Sequence, residues 1–269
     1  MAMIDSIARL DSRALIRVAG PDTRSFLHNL LTQDVETLAP GEVRFGALLS
    51  PPGRLLFDLF LWGEDDAVVL DVAAERRDAL TARLSMYRLR AQVEITSDDR
   101  PVFASWPGVA DGFVVDPRLP TLGGRAPPDA SLGKRTADAD EDAWDAHRQS
   151  VGVPDPTRDG GHDVRYPIEA YFDLLNGIDF RKGCFVGQET TSRMKRRGEI
   201  KKRMLPLTFD GPPPPEGAEV LNGELRAGEV LTGRDGAAIA LMRLDRMEGA
   251  LTVEGRATTV IMPPWLKAD

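Results

Sequence analysis

The single cysteine of this 269-residue chain, Cys184, lies in the sequence Lys-Gly-Cys-Phe-Val-Gly-Gln-Glu. The glycines on either side, Gly183 and Gly187, permit tight turns, so we expect the thiol where a loop enters a helix that begins near Gly187 or Gln188. A helix N-terminus and a neighbouring ammonium group, here that of Lys182, both favour thiolate over thiol. Cys184 with Lys182 is therefore a candidate nucleophile, redox centre or transient metal ligand. A buried, inert thiol is the alternative that spacing leaves open.

The helix expected after Cys184 carries polar side chains that can face a ligand. Gln188 can exchange hydrogen bonds with a bound molecule or satisfy backbone groups of the loop. Glu189 and Arg193 are four residues apart with the acid first, which favours an ion pair within the helix. Gln188, Glu189, Arg193 and Arg197 are the candidate cofactor-binding residues in this part of the chain.

A basic run follows, although acidic residues outnumber basic ones by 42 to 34 in the whole chain. Its members are Arg193, Lys195, Arg196, Arg197, Lys201, Lys202 and Arg203. The net charge of −8 argues against a general nucleic-acid binder. The run can be a solvated charged face, or it can dock an anion such as the glutamate tail of folate, a phosphate or tRNA.

Two carboxylates elsewhere have alternative roles. Glu169 lies among apolar residues, where it can pair with the amino-pyrimidine edge of a pterin or cap the following helix. Asp58 interrupts an apolar strand, and we expect it to face outward rather than to line a cleft. The three histidines, at 28, 147 and 162, lack metal-ligand spacing, so no metal site is predicted. Phosphate-binding glycine loops and the hydrolase nucleophile elbow are missing from the sequence as well.

The scaffold that must position these groups reads as mixed α and β. We expect a strand over 14–18, a helix from there to about Asp34, and a hairpin with arms 44–50 and 54–62 around Pro-Pro-Gly. A strand over 68–72, a helix over 74–89 and a strand over 91–95 continue the alternation. Such alternation indicates α+β layers.

The second half is expected to be organised differently. Residues 117–135 are rich in Pro, Gly and Asp and read as a long surface connection. A short helix is expected over 138–150. Between 203 and 262 short apolar stretches alternate with turn signals, which predicts a small β-barrel or sandwich. We divide the chain into an α+β region of two intertwined modules, 1–200, and a C-terminal β-barrel domain, 201–269.

The first eleven residues lack the basic flank and apolar core of a signal peptide. No apolar run approaches the roughly 20 residues that a membrane helix needs. These observations predict a cytoplasmic protein that does not enter the membrane, and we expect a monomer.

The segment 182–189 resembles the KGC-aromatic-x-GQE signature of the YgfZ family and its mitochondrial relatives. The similarity includes Asn176-Gly177-Ile178, Arg193, Gly198 and Lys202-Arg203. It extends to the FLHNLLTQDV, SPPGRLLFDL and MYRLRAQVEI segments and leaves 108–135 unmatched.

The resemblance implies a fold like that of the glycine-cleavage T-protein, with a C-terminal β-barrel and a central cavity for tetrahydrofolate. It implies a role in assembly or repair of iron–sulphur enzymes, with Cys184 as the key thiol and Glu169 holding the pterin. Because the chain has one cysteine, a stable cluster held by several thiolates of one subunit is excluded, and any such role is indirect or shared.

The expected partners are iron–sulphur enzymes or cluster assembly proteins. The alternative function is a tetrahydrofolate-dependent aminomethyltransferase or a one-carbon transferase that modifies tRNA. The chain lacks an obvious counterpart to the T-protein's catalytic aspartate region, which argues against aminomethyl transfer.

Overall fold

The computed structural model describes residues 5–130, 136–198 and 200–266, without the side chain of Arg197. The helices are α1 (Thr23–Leu30), α2 (Arg77–Arg88), α3 (Glu141–Val151) and α4 (Gln188–Arg197). The strands before α3 are β1 (Ser6–Arg9), β2 (Arg13–Ala19), β3 (Val43–Leu49), β4 (Leu55–Gly63), β5 (Ala67–Ala73), β6 (Glu94–Asp98), β7 (Phe103–Trp106), β8 (Val114–Val115) and β9 (Gly124–Arg125). The strands after α4 are β10 (Lys202–Phe209), β11 (Glu219–Asn222), β12 (Leu225–Arg234), β13 (Ala237–Arg243), β14 (Leu251–Val253) and β15 (Arg256–Val260).

The first module is an antiparallel five-stranded sheet in the order β3-β4-β5-β2-β6. The apolar stripe of α1, with Phe26, Leu27 and Leu30, packs with α2 over one face, beside Leu80 and Leu84. Every residue of β4 and β5 is buried, so both faces of the sheet centre are covered. The predicted hairpin, the strand over 68–72 and the mixed α and β layers are confirmed.

The helix predicted to run to about Asp34 ends earlier, at Leu30. Leu31 is extended, with φ −92° and ψ 156°, and forms a bridge to Leu48 of β3. Pairing with the sheet therefore stops the helix before its apolar periodicity ends. The strand expected over 91–95 also shifts, because β6 begins at Glu94 and pairs with β2 through Asp98.

The second sheet has the order β1-β7-β9-β8. It shows that the predicted surface connection over 117–135 is wrong for the residues that the structure describes. Within this stretch Arg118, Leu122 and Arg125 are buried, and β9 pairs with β7. The turns formed by Pro and Gly lie against the core. Arg118 and Arg125 can be buried there because each pairs with a buried carboxylate, Asp116 and Asp71 respectively. Residues 131–135 lie outside the described residues.

The last module is a closed six-stranded barrel in the order β10-β13-β12-β11-β14-β15. It closes where Leu207 of β10 pairs with Val260 of β15. This confirms the expected β-barrel. The helix predicted over 138–150 is α3, which begins at Glu141. Its N-cap is Asp140, whose carboxylate accepts a hydrogen bond from the Ala143 N–H.

Candidate functional site

The loop that carries Cys184 is anchored on the residues that follow α1. The Thr32 hydroxyl donates to the Gly177 carbonyl at 2.7 Å, and the Gln33 amide donates to the Asn176 carbonyl at 2.8 Å. The Asp179 N–H donates to the Thr32 carbonyl at 2.9 Å. Thr32 and Gln33 are both buried, and the bond from Thr32 to Gly177 forms away from solvent. Neither anchor is predicted from the sequence, where the only signal is two polar residues after an apolar stripe.

Gly187 lets the loop turn into α4. Its φ is +80°, and an added Cβ would lie 2.7 Å from the Ser50 carbonyl oxygen and 2.9 Å from the Gly53 Cα. The backbone of the β3–β4 hairpin thus touches the backbone just before the helix. The predicted start of α4 at Gln188 is confirmed. Gly183 needs no glycine geometry, since an added Cβ would meet nothing within 4 Å.

The Cys184 side chain is exposed. The next residue, Phe185, is 6% exposed and packs in a cluster with Phe45, Phe172 and Ile178. The alternative that the thiol is buried is therefore wrong, and its reactivity stays a prediction. The thiol thus faces solvent, while the loop around it is held by the buried Phe185 ring and by the hydrogen-bonded segment before it.

Lys182 lies between this loop and α1. Its ammonium donates to the Leu31 carbonyl at 2.7 Å and to the His28 carbonyl, at the helix end where a positive charge is favourable. Burial lowers the pKa of Lys182 to about 8, against the opposing effect of the Asp34 and Asp179 carboxylates. A thiolate at Cys184 also favours the charged ammonium. Through its two hydrogen bonds, Lys182 also ties the cysteine loop to the end of α1.

The other candidate residues on α4 face outward to different degrees. Gln188 is half-buried, and Glu189 and Arg193 are exposed. The ion pair predicted between Glu189 and Arg193 does not form, because no nitrogen and oxygen of these two described side chains come within 4 Å. The side chain of Arg197 lies outside the described residues. α4 packs against the 3-10 turn Pro167–Ala170, so these residues and Glu169 belong to one region.

The basic run around α4 does not form one continuous surface. Lys195 places its ammonium 3.8 Å from the ring centre of Phe180. Arg203 is buried and pairs with Asp173 at 2.7 Å. Only part of the run is thus free to meet an anion.

Glu169 lies within the 3-10 turn. Its carboxylate accepts a hydrogen bond from the Tyr166 backbone N–H at 2.8 Å, which caps the turn. The capping role considered for Glu169 is therefore present, although it caps its own turn rather than the following helix. Its role toward a pterin stays a prediction.

Asp58 does not face outward as expected but is 3% exposed. Its carboxylate accepts hydrogen bonds from Arg13 at 2.9 Å and from the Thr157 hydroxyl at 2.9 Å, and it lies 2.9 Å from His162 Nε2. Burial alone would raise the pKa of Asp58, but Arg13 and His162 outweigh it and hold the pKa well below its usual range. The partners come from distant parts of the chain, so the strand pattern alone could not reveal them.

Arg13 also links Asp58 to a larger buried charge cluster. It donates to Asp71 at 2.6 Å, and Asp71 also pairs with Arg125 at 2.5 Å. The Arg125 guanidinium lies 3.6 Å from the ring centre of Phe60. The cavity bordered by Arg13, Asp58, Arg118 and Arg125 measures about 20 Å³, which is room for roughly one water molecule.

Tetrahydrofolate does not fit this cavity in the described conformation. Pockets that hold ligands of this kind measure roughly 300–1,000 Å³. Glu169, the residue matched to the pterin-binding glutamate, does not border the cavity and already accepts a backbone hydrogen bond.

Comparison with known proteins gives consistent matches. Residues 201–268 match the family model of the CAF17 C-terminal beta-barrel domain. The human mitochondrial iron-sulfur cluster assembly factor IBA57 is 30% identical, over 96% of this chain and 84% of its own length. Its mouse counterpart is 29% identical over the same shares. The glycine cleavage system aminomethyltransferase T of Bartonella henselae matches with a TM-score of 0.76 at 19% identity, covering 97% of this chain and 86% of that structure.

The structural match confirms the predicted T-protein-like fold with a C-terminal barrel, and at this identity it shows the fold alone. The cytoplasmic location predicted from the sequence is wrong, because the human and mouse relatives are named as mitochondrial proteins. In the parts of the chain described here, no helix is long and apolar enough to cross a bilayer. The same parts contain no group of three or more side chains arranged to hold a metal ion.

Proposed function

Because the chain belongs to the family of the iron–sulfur cluster assembly factor IBA57, we propose that it supports iron–sulfur cluster assembly through the exposed thiol of Cys184. The observation that carries this proposal is an exposed cysteine on a loop whose base is buried and hydrogen-bonded. The thiol contacts either the cluster or the protein that carries it.

The chemistry of the chain requires that a cluster be shared. Protein-bound iron–sulfur clusters are held chiefly by several cysteine thiolates, and this chain contains one cysteine. Cys184 can therefore supply one ligand or one transient contact, while a second protein supplies the others. The expected partners are iron–sulfur enzymes or cluster assembly proteins.

The loop geometry supports such a contact. Thr32 and Gln33 fix the chain before Cys184, and Gly187 and the hairpin fix the chain after it. A thiol held in this way loses little conformational freedom when it meets a partner, which lowers the entropic cost of binding. Lys182, two residues before the thiol, adds a further anchor by donating to the Leu31 carbonyl at the end of α1.

Complementation of cells that lack their own assembly factor tests this proposal. We expect Cys184→Ser to fold like the wild type and to fail to restore the activity of iron–sulfur enzymes. Ser192→Ala, on α4, is the control, because no side-chain hydrogen bond of the described residues depends on that hydroxyl. Full restoration by a folded Cys184→Ser protein would overturn the proposal.

Tetrahydrofolate binding is a separate proposal that rests on the family resemblance. No step of the thiol function passes through it. Calorimetric titration under reducing, anaerobic conditions tests it. Saturable binding that Glu169→Ala weakens supports a folate site, whereas no binding to wild type removes folate and leaves the role of Cys184 unchanged.

A further inference from the structure

A second cavity lies where the barrel meets the segment before the 3-10 turn Pro167–Ala170. Its volume is about 280 Å³, close to the lower end of ligand-binding pockets. Strands β10, β12 and β13 and the residues after β13 form most of its wall. Its charged lining consists of Arg165, Lys202, Arg226, Glu229, Arg243 and Arg246. Five cationic side chains thus surround one carboxylate, in a chain whose net charge is −8.

The carboxylates present neutralise this lining only in part. The two oxygens of Glu229 are occupied by Arg165 and by Arg226, the latter at 2.6 Å. Asp245, beside the cavity, pairs with Arg243 at 2.9 Å and with Arg246 at 3.9 Å, and Glu219 also meets Arg226 at 3.4 Å. Three carboxylates thus face five cations. Lys202 has no carboxylate oxygen within 4 Å among the residues that the structure describes.

The strand register brings two of the cations together. Lys202 of β10 lies directly opposite Arg243 of β13 in the antiparallel ladder. Like charges in directly opposite positions destabilise a sheet. An anion bound between them would turn this repulsion into two attractive contacts, and arginine is well suited to binding phosphate or carboxylate with paired hydrogen bonds.

We propose that this cavity binds a small oxyanion that carries at least two negative charges on phosphate or carboxylate groups. Lys202 and Arg243 bind it from adjacent strands, and Arg246, just after β13, lines the same cavity. The seam between two modules is a common place for ligand sites. The site uses none of the residues around Cys184 and stands independently of the thiol function.

Isothermal titration calorimetry of the full chain at low ionic strength tests the proposal. Pyrophosphate and citrate serve as probes in separate titrations, so that the two arms distinguish a phosphate from a carboxylate ligand. We expect wild type to bind one probe saturably. The double variant Lys202→Gln/Arg243→Gln should bind it at least about tenfold more weakly, a difference of about 1.4 kcal/mol.

The matched control is Lys201→Gln/Arg88→Gln, which removes the same charge away from the cavity. Lys201 is exposed and directly precedes Lys202. Because successive side chains of a strand point to opposite faces, the control shows whether affinity depends on the cavity residues or only on the net charge. We expect this control and Cys184→Ala to bind like the wild type. Arg246→Gln serves as a second test if the double variant unfolds. The proposal is overturned if neither probe saturates, or if the control loses as much affinity as the cavity variant.

Discussion

The ammonium nitrogen of Lys182 lies 2.7 Å from the carbonyl oxygen of Leu31. This contact joins the residue two positions before Cys184 to the end of α1, more than 150 residues away in sequence. The Lys182 side chain that makes this contact is half-buried. Its titration is therefore a probe of the loop itself.

We expect Lys182→Met to change how stability depends on pH. The pKa of Lys182 is about 8 in the folded protein, below its ordinary value of 10.5. Between these values the unfolded chain binds more protons, so the free energy of unfolding contributed by Lys182 rises with pH. Urea denaturation at several pH values should show the wild type gaining stability over the variant from about pH 8 to 10. A difference that stays constant would contradict the lowered pKa.

Cys184 should react fully in the native protein. Because its side chain is exposed and no other cysteine exists, a pyridyl disulfide reagent should modify one thiol per chain without denaturant. The extent should equal that in denatured protein, and Cys184→Ala should not react. Modification that begins only on unfolding would show that the loop is closed in solution.

The two glycines beside Cys184 should differ in their tolerance of alanine. Gly187→Ala places a side chain at φ +80° and 2.7 Å from the Ser50 carbonyl oxygen. We expect it to lower the free energy of unfolding by about 1–3 kcal/mol. Gly183→Ala meets nothing within 4 Å and should change stability by less than about 0.5 kcal/mol. Chemical denaturation of the pair measures this, and equal losses would refute the close hairpin contact.

Asp58→Asn should be strongly destabilising. It leaves Arg13 short of one buried charge partner, and breaking a buried ion pair typically costs about 3–5 kcal/mol. The control is Asp66→Asn, because the side chain of Asp66 is 77% exposed and its ion pair with Arg17 should contribute less than about 1 kcal/mol. Similar losses in the two variants, measured by urea denaturation, would place Asp58 outside the core.

Wild type and Asp58→Asn should also differ in their stability in acid. The pKa of Asp58 is held well below its usual range, so its contribution is complete above the unfolded pKa of about 4 and is lost as the pH falls further. The advantage of wild type over Asp58→Asn should shrink below about pH 4. An advantage that grows in acid would mean that Asp58 is protonated when folded.

Short sequence motifs correctly predicted the elements whose backbone conformation is set by adjacent residues. Pro51-Pro52-Gly53 marked the hairpin, and Gly187 marked the start of α4 at Gln188. Turn spacing marked the barrel. In each case the backbone preference of a few residues coincides with the final structure, so no distant partner is needed to identify the element.

Long-range pairing explains what the sequence did not reveal. Asp58 follows an ordinary strand pattern, and its burial depends on Arg13 and His162, 45 and 104 residues away. Arg118 and Arg125 lie in a stretch whose composition is typical of surface loops, yet both are buried. The end of α1 depends on the bridge from Leu31 to Leu48. Periodicity and composition carry no information about such partners.

The contact of Gly187 with the turn of the β3–β4 hairpin also has a consequence for biosynthesis. The hairpin is translated more than 120 residues before the cysteine, and the cysteine loop takes its shape only against that earlier surface. A chain whose first module has misfolded therefore cannot present the thiol correctly. The function proposed for Cys184 therefore depends on correct folding of a module that is synthesised long before the cysteine.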